Sequence, residues 1–351
     1  MFSKIRTLKR LLGKLDHLES LSYLPGMAND LQAARHFLQH LSLPPAAAGE
    51  RATPLPPVPV GLSVGSLGGA DNEARIARAE GRLIITEYPY YPRKRPMEIA
   101  AGGQRLQARF RSEGEQYAAT LRGMAKHIDL LTQIPRHEVR AQSPFWANDW
   151  FPPFDGAVLF GLIAEQAPRR YFEVGSGIST RFARKAIADL GLSTKIISID
   201  PHPHTTIKEI CDEIIVSRME DMPNQFWADI EPGDMLFVDN SHRRFPNSDV
   251  TVFFAEVLPA LQPGTIYGVH DICLPWDYPE EWNSRFYNEQ YLLLAYLLGG
   301  AASDEILVPV MWAARQPELH NIFAPLWARD DLLNGISCHG AGFWMRRGGS
   351  A

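Results

Sequence analysis

The sequence predicts an α/β protein: a doubly wound, seven-stranded Rossmann-like sheet with a helical extension at its N-terminus. Two observations carry that expectation. From residue 157 onward, short apolar runs alternate with helical periodicity, as in a parallel sheet covered on both faces. One of those runs, "YFEVGSGIST" at 171–180, ends in a glycine turn and a Ser-Thr pair able to open a helix, the pattern of a strand feeding a nucleotide site.

The elements follow in chain order. Residues 1–42 open with "MFSKIRTLKRLLGKLDHLESL", where Ile5, Leu8, Leu12 and Leu15 recur at helical spacing with Lys4, Arg6, Lys9, Arg10 and Lys14 between them. This amphipathic helix is expected to pack on its own domain or on a second copy of the chain, giving a homo-oligomer. Its basic face makes contact with a membrane surface the alternative. Residues 43–70 read as a proline-rich linker, since Pro44, Pro45, Pro54, Pro56, Pro57 and Pro59 remove backbone donors and favour an extended spacer. Residues 71–140 read as a helical lead-in or cap. Within it "EYPYYPRKRP", 87–96, is an ordered crossing segment or surface loop. Leu106, Phe110, Tyr117, Leu121, Met124, Ile128 and Leu131 predict a long helix or helix pair over 104–133. The turn-rich stretch "SPFWANDWFPPFDG", 143–156, gathers five aromatics. It reads as core, or as a wall of a site with Asn148 and Asp149 as polar contacts.

The main domain is expected over 141–347. "AVLFGLIAEQA" is a helix leading into the strand "RYFEV"; after the glycine turn a second helix runs from Ser179 as N-cap to Gly191 as stop. Further strands are "KIISID" at 195–200, "EIIVS" at 213–217, "DMLFVD" at 234–239 and "TIYGVHD" at 265–271. Two late ones are "EILVPVMW" at 305–312 and "GAGFWMRR" at 340–347. Ligands of such sheets bind at the carboxyl ends of the strands.

Bulk properties exclude several function classes. A net charge of -5 argues against a nucleic-acid surface, which needs clustered Lys and Arg. Cys211, Cys273 and Cys338 are far apart with no CxxC spacing, which fits a reducing, cytoplasmic setting. No apolar run approaches the roughly 18 to 20 residues that cross a bilayer, and no signal-peptide core follows the start.

The glycine turn discriminates among nucleotides only with its neighbours. A dinucleotide fingerprint would carry its third glycine where Thr180 stands. Asp200, ending the second strand, suits a ribose diol, a contact that fits NAD and S-adenosylmethionine equally. Glu173, two residues before Gly175, and the two late strands tip the balance toward S-adenosylmethionine.

From about residue 141 to 347 the chain resembles the class I S-adenosylmethionine-dependent methyltransferases, in the branch known as methyltransferase family 24. "YFEVGSGIST" is similar to that fold's first motif, with Ser179 where many members have a third glycine. "FVDNSH", "NSDVTVFFAEVLPALQPG", "GVHDICLPWDYPEEW" and the closing "GAGFWMRR" resemble this branch more closely than the fold at large. The resemblance implies a seven-stranded sheet with its last strand antiparallel, and a donor site on Glu173, Gly175, Ser176, Gly177, Ser179, Asp200 and Asp239. Glu220 or Asp221, just past the third strand, is a candidate for the adenine amino group, with a solvated loop acid as the alternative.

Two neighbouring strand ends deliver Asp239 with His242, and His270 with Asp271. Two carboxylates with imidazole suit a hard or borderline divalent ion, Mg2+ or Mn2+ before Zn2+. Such an ion would lower the pKa of an alcohol oxygen while a histidine takes its proton. Metal-dependent O-methyltransferases acting on catechols or macrolide sugars look similar here, and the sugar enzymes have a D-x-S-H segment matching Asp239 to His242. By that resemblance Asp239 and Asp271 are ligands, His242 is the base and His270 is a ligand or supports one. The expected acceptor is a small hydroxylated molecule, a sugar or related metabolite. "PWDYPEEWNSRFYNEQYLL", 275–293, is a candidate lid with Asp277, Tyr278 and Trp282 facing in. Two other classes compete. A nicotinamide-dependent oxidoreductase is disfavoured by the missing third glycine and by the lack of a Tyr-x-x-x-Lys pair in the expected region. A non-catalytic scaffold is disfavoured by the intact turn.

Overall fold

A computed structural model describes residues 92–349, all within one compact unit, Thr86–Ala351. The N-terminal helix, the proline-rich linker and the first part of the lead-in lie outside the described residues. Seven strands form one sheet: β1 Arg170–Val174, β2 Lys195–Ile199, β3 Glu213–Ile215, β4 Met235–Val238, β5 Ile266–Val269, β6 Glu305–Pro309 and β7 Phe343–Arg346. Their order is β3-β2-β1-β4-β5-β7-β6. The first five run parallel, and β7 lies antiparallel between β5 and β6. The chain therefore starts in the middle of the sheet, builds outward to β3, and returns past β1 to build the other half. The reversal point between β1 and β4 is where a ligand crevice opens.

Two helices replace the long one expected over 104–133: α1 Ala101–Ser112 and α2 Gly114–Ala125, with a single further turn at Ile128–Leu131. The helix before β1, α3, spans Pro153–Gln166 and starts four residues earlier than the apolar run indicates, with Pro153 at its first turn. It is buried from Pro153 to Ile163 and packs against α2 and against α4, Ile178–Asp189. The last helix to matter for the site is α5, Glu289–Gly299. Among the described residues no helix is long and apolar enough to cross a membrane.

Two local expectations are corrected, and Gly191 stands as the helix stop that the sequence indicates. The cap of α4 is Gly177, not Ser179; Ser179 lies buried in the first turn. Gly191, at φ 62, follows the helix end as the left-handed residue that reverses the chain. The apolar run "EILVPVMW" is a strand only to Pro309, after which Val310–Ala314 turns helical and packs Trp312 against Phe110 and Tyr117. At the sheet centre Phe237 of β4 stacks on Trp344 of β7, centroids 5.0 Å apart, an aromatic pair of about 1 kcal/mol.

The turn after β1 is fixed from below. Glu173 is fully buried, and its carboxylate accepts from Tyr171 Oη at 3.0 Å and from Thr180 Oγ1. Thr180 Oγ1 in turn accepts from Gly177 N–H at 2.9 Å. The residue that breaks the dinucleotide pattern thus ties the turn to the buried acid. Burial pushes the Glu173 carboxyl up to about 7, against the lowering effect of Thr180, Ser179 and Tyr171. Gly175, at φ 78, runs so close under β4 that a Cβ would overlap the carbonyl oxygen of Asp239.

Two stability predictions follow from the turn. Gly175→Ala meets both a left-handed backbone and that carbonyl, so urea unfolding should show a loss of at least about 2 kcal/mol; an unchanged midpoint would refute the close approach. For Glu173 the raised carboxyl favours the folded state below its ordinary value of 4.5 and loses that contribution as pH rises through about 7. Between pH 5 and 8 the wild type should therefore lose roughly 2.5 kcal/mol relative to Glu173→Gln. Parallel stability profiles for the two proteins would contradict the assignment.

Candidate functional site

Parallel register decides which side chains meet. Val174 of β1 pairs with Ile199 of β2 and with Val238 of β4, and Val238 pairs with Val269 of β5. The next residue of each strand, Gly175, Asp200, Asp239 and His270, therefore emerges in one row at the carboxyl edge. Backbone bonds continue the ladder one step further: Gly175 N to Ile199 O at 3.1 Å, Asp239 N to Val174 O at 2.9 Å and His270 N to Val238 O at 3.0 Å.

On one side of the row lies the glycine turn. Asp200 accepts from Ser176 N at 3.0 Å and Ser176 Oγ at 2.9 Å through one oxygen, and from His202 N at 2.7 Å through the other. A carboxylate has about four acceptor positions, so capacity for further donors remains. Around Gly177 the space is open: a Cβ there would meet nothing within 4 Å. Glu173 and Ser179 do not face that space, because both are buried beneath the turn. Glu220 sits in a short turn, Met219–Asp221, 3.6 Å from Arg218.

On the other side the charged residues of β4 and β5 interlock. His242 Nε2 lies 3.2 Å from Asp239 Oδ1 and 3.3 Å from Asp271 Oδ2. His270 Nδ1 lies 3.7 Å from Asp239 Oδ1 and 3.5 Å from Asp271 Oδ1. Each imidazole is backed on its far nitrogen by a buried carboxylate. His242 Nδ1 is 3.0 Å from Glu289, in the first turn of α5, and His270 Nε2 is 3.1 Å from Asp155, in the first turn of α3. Asp155 also accepts from Ala341 N at 2.7 Å and Gly342 N at 2.8 Å, which joins the approach to β7 to the same point.

The loop carrying His242 is held by Ser241, which donates to Asp249 through N at 2.8 Å and Oγ at 2.6 Å, and by Asn288 N, which donates to His242 O at 2.9 Å. His242 and Asp271 both adopt left-handed backbone, at φ 57 and φ 55. For side chains with a Cβ this costs on the order of 1–3 kcal/mol each, and such strain collects at functional positions.

The electrostatics follow from these contacts. Burial alone would lower His242, but Asp239 and Glu289 outweigh it and hold the imidazole well above its usual range. Burial likewise opposes, and Asp239 and Asp155 overcome, a strong upward shift at His270. Asp239 answers in kind: burial raises it, yet His270 and His242 hold it well below the usual carboxylate range. Glu289 is raised by burial despite His242. Both imidazoles are thus pushed toward the protonated form by the carboxylates they share.

The donor chemistry fits a divalent ion: two carboxylates from adjacent strand ends, and two imidazoles each oriented by a carboxylate behind it. The spacing is that of ion pairs, and among the described residues no group of three or more His, Cys, Asp or Glu is arranged to hold a metal. Asp239, His242, His270 and Asp271, picked out at the strand ends, are brought together. Asp155 and Glu289 were not picked out; Asp155 closes the aromatic stretch "SPFWANDWFPPFDG" and Glu289 lies within the lid segment, and neither position has a local motif.

No curated protein matches the chain. Among solved structures it is similar to the MycE methyltransferase of the mycinamycin biosynthetic pathway, in complex with Mg and SAH, at 24% identity over 31% of this chain and 28% of that chain, TM-score 0.23. It is similar to the SAH-bound Podospora anserina methyltransferase PaMTH1 at 12% identity, over 82% of this chain and 99% of that one, TM-score 0.33. A putative O-methyltransferase from Klebsiella pneumoniae aligns at 12% identity over 66% of this chain and 90% of that one, TM-score 0.31. The chain spans less than a third of the mycinamycin enzyme's length. Residues 172–272, from β1 to just past β5, match the family described as a methyltransferase domain. With the sheet order and the glycine turn, that match assigns residues 172–272 to a methyltransferase domain on a Rossmann-like sheet, of the S-adenosylmethionine-dependent kind.

Proposed function

We propose that the protein transfers the methyl group of S-adenosylmethionine to a hydroxyl oxygen of a small hydroxylated acceptor, a sugar or related metabolite, with divalent-metal assistance. The observation that carries this reading is His242. It is nearly fully buried, backed by Glu289, strained at its backbone, and aimed at Asp239 and Asp271 in the row that also contains the glycine turn. A general base placed between a donor turn and two carboxylates fits O-methylation better than any other class I chemistry.

In this reading Gly175, Ser176 and Gly177 receive the donor and Asp200 takes its ribose hydroxyls. Asp239, Asp271 and His270 would hold Mg2+ or Mn2+, which when bound supplies Lewis acidity toward the acceptor hydroxyl. Asp155 keeps His270 Nδ1 turned toward the carboxylates. Asp239 and Glu289 favour the protonated form of His242, and that form must release its proton before it can accept one. Positive charge arriving beside it, the sulfonium included, lowers its affinity for that proton. His242 Nε2 then takes the hydroxyl proton as the oxygen lone pair forms the O–CH3 bond. The S–CH3 bond breaks with its electron pair staying on sulfur, giving the neutral thioether of S-adenosylhomocysteine. The three cysteines are all free thiols, which suits a reducing, cytoplasmic setting.

The test is release of S-adenosylhomocysteine from the donor over a panel of hydroxylated sugars, with Mg2+, Mn2+ or EDTA. Turnover should require an acceptor and fall with EDTA. His242→Gln should keep the thermal shift produced by S-adenosylhomocysteine and lose about 10²–10⁴-fold in rate. Asp200→Ala should lose the thermal shift itself. Wild-type rates in His242→Gln would remove it as the base, and full activity in EDTA would remove the metal.

A further inference from the structure

A cavity of about 600 Å³, within the size range of small-molecule sites, opens against Tyr287 and Asn288, the neighbours of His242, which does not itself line it. The segment from Pro92 to Ala100 forms one side and the candidate lid, from Asp277 to Tyr291, forms the other. Its inner wall is shared with the reaction centre. Tyr287 lines the cavity with its ring centroid 4.7 Å from that of His242, and Asn288, also lining it, donates to the His242 carbonyl. Tyr278, Trp282 and Tyr287 meet one another at 5.6–6.1 Å and make an aromatic wall.

The charges around this cavity are unequal. Its only lining acid, among the described residues, is Asp277, and that carboxylate is already committed. One oxygen accepts from Arg95 N at 2.7 Å, and the other from Tyr278 N at 2.9 Å and from Tyr291 Oη. The lining guanidiniums of Arg93 and Arg95 are exposed and make no ion pair among the described residues. Two more lie just behind the wall: Arg243 is 5.1 Å from the Tyr287 ring, and Arg285 is 4.9 Å from Trp282 and 5.6 Å from Tyr287. Glu280 and Glu281, on the same turn as Trp282, do not line the cavity.

We propose that this cavity binds the acceptor, and that the acceptor is a ring compound carrying an anionic oxygen group, a carboxylate or a phosphate. Its ring lies on the aromatic wall, its anion meets Arg93 and Arg95, and its hydroxyl points toward His242. Planar guanidinium forks match both anions, and ring faces suit aromatic side chains. The proposal rests on the methyl-transfer reading for the hydroxyl's role, but the anion preference stands on the cavity alone.

Calorimetric titration of the full chain with three probes tests it: para-nitrophenyl glucuronide, para-nitrophenyl phosphate and neutral para-nitrophenyl glucoside. At least one anionic probe should bind about tenfold or more tighter than the glucoside, as expected for a charge-assisted contact. Which anion wins identifies carboxylate or phosphate. The preference should vanish in the Arg93→Gln, Arg95→Gln double variant and largely return in Arg93→Lys, Arg95→Lys, whose melting points check the fold. Equal binding of all three probes, no binding of any, or a preference that survives the Gln variant overturns the proposal. S-adenosylhomocysteine titrated into the same preparations reads the donor site separately, so failure of methyl transfer and failure of anion binding remain distinguishable.

Discussion

Charge compensation among four side chains at the ends of β4 and β5 is the constraint on which the rest of the site depends. A lone buried imidazolium costs several kcal/mol, so the carboxylates at the strand ends offset the burial of the two histidines. Asp239 and Asp271 neutralise His242 and His270, while Glu289 and Asp155 hold the far nitrogens. Because Asp155 comes from α3 and Glu289 from α5, meeting this electrostatic demand also fixes two helices against the sheet edge. The left-handed backbone at His242 and Asp271 is the local strain this arrangement sustains.

In the proposed reaction the same compensation would let the site rest inactive and then act. An imidazolium clasped by carboxylates cannot serve as a base. A second positive charge in the row would compete for the carboxylates and weaken the hold on the proton. Donor, ion and base would then be coupled through shared partners. The glycine turn contributes by proximity: Gly175 passes so close to the Asp239 carbonyl that the donor loop and the charged row are mechanically one unit.

Much of this was legible in the sequence, for identifiable reasons. Strand centres such as "MLFV" and "IYGV" are buried on both faces and read as unbroken apolar runs. Asp239, His242, His270 and Asp271 stood out because a parallel sheet places whatever follows each strand in one row. The extension of β6 through Trp312 failed because "VPVMW" is apolar in either conformation, and its turn into a helix beyond Pro309 answers to tertiary packing on Phe110 and Tyr117. Asp155 and Glu289 escaped because their partners lie 115 and 47 residues away, beyond any spacing rule. Glu173 and Ser179 were legible as turn residues, but the direction they face was not: strand alternation and the Thr180 tie turn them under the loop. The cavity proposed for the acceptor forms only when residues near 95 meet residues near 280, a juxtaposition no motif announces.

The central claim is that the donor methyl and a divalent ion sit side by side against His242. Paramagnetic relaxation of the S-methyl protons of bound S-adenosylmethionine by Mn2+ reads that distance directly. The account predicts strong enhancement with the wild type that disappears in the Asp239→Asn, Asp271→Asn double variant. Methyl protons that relax equally with and without Mn2+, while the donor stays bound, would contradict it.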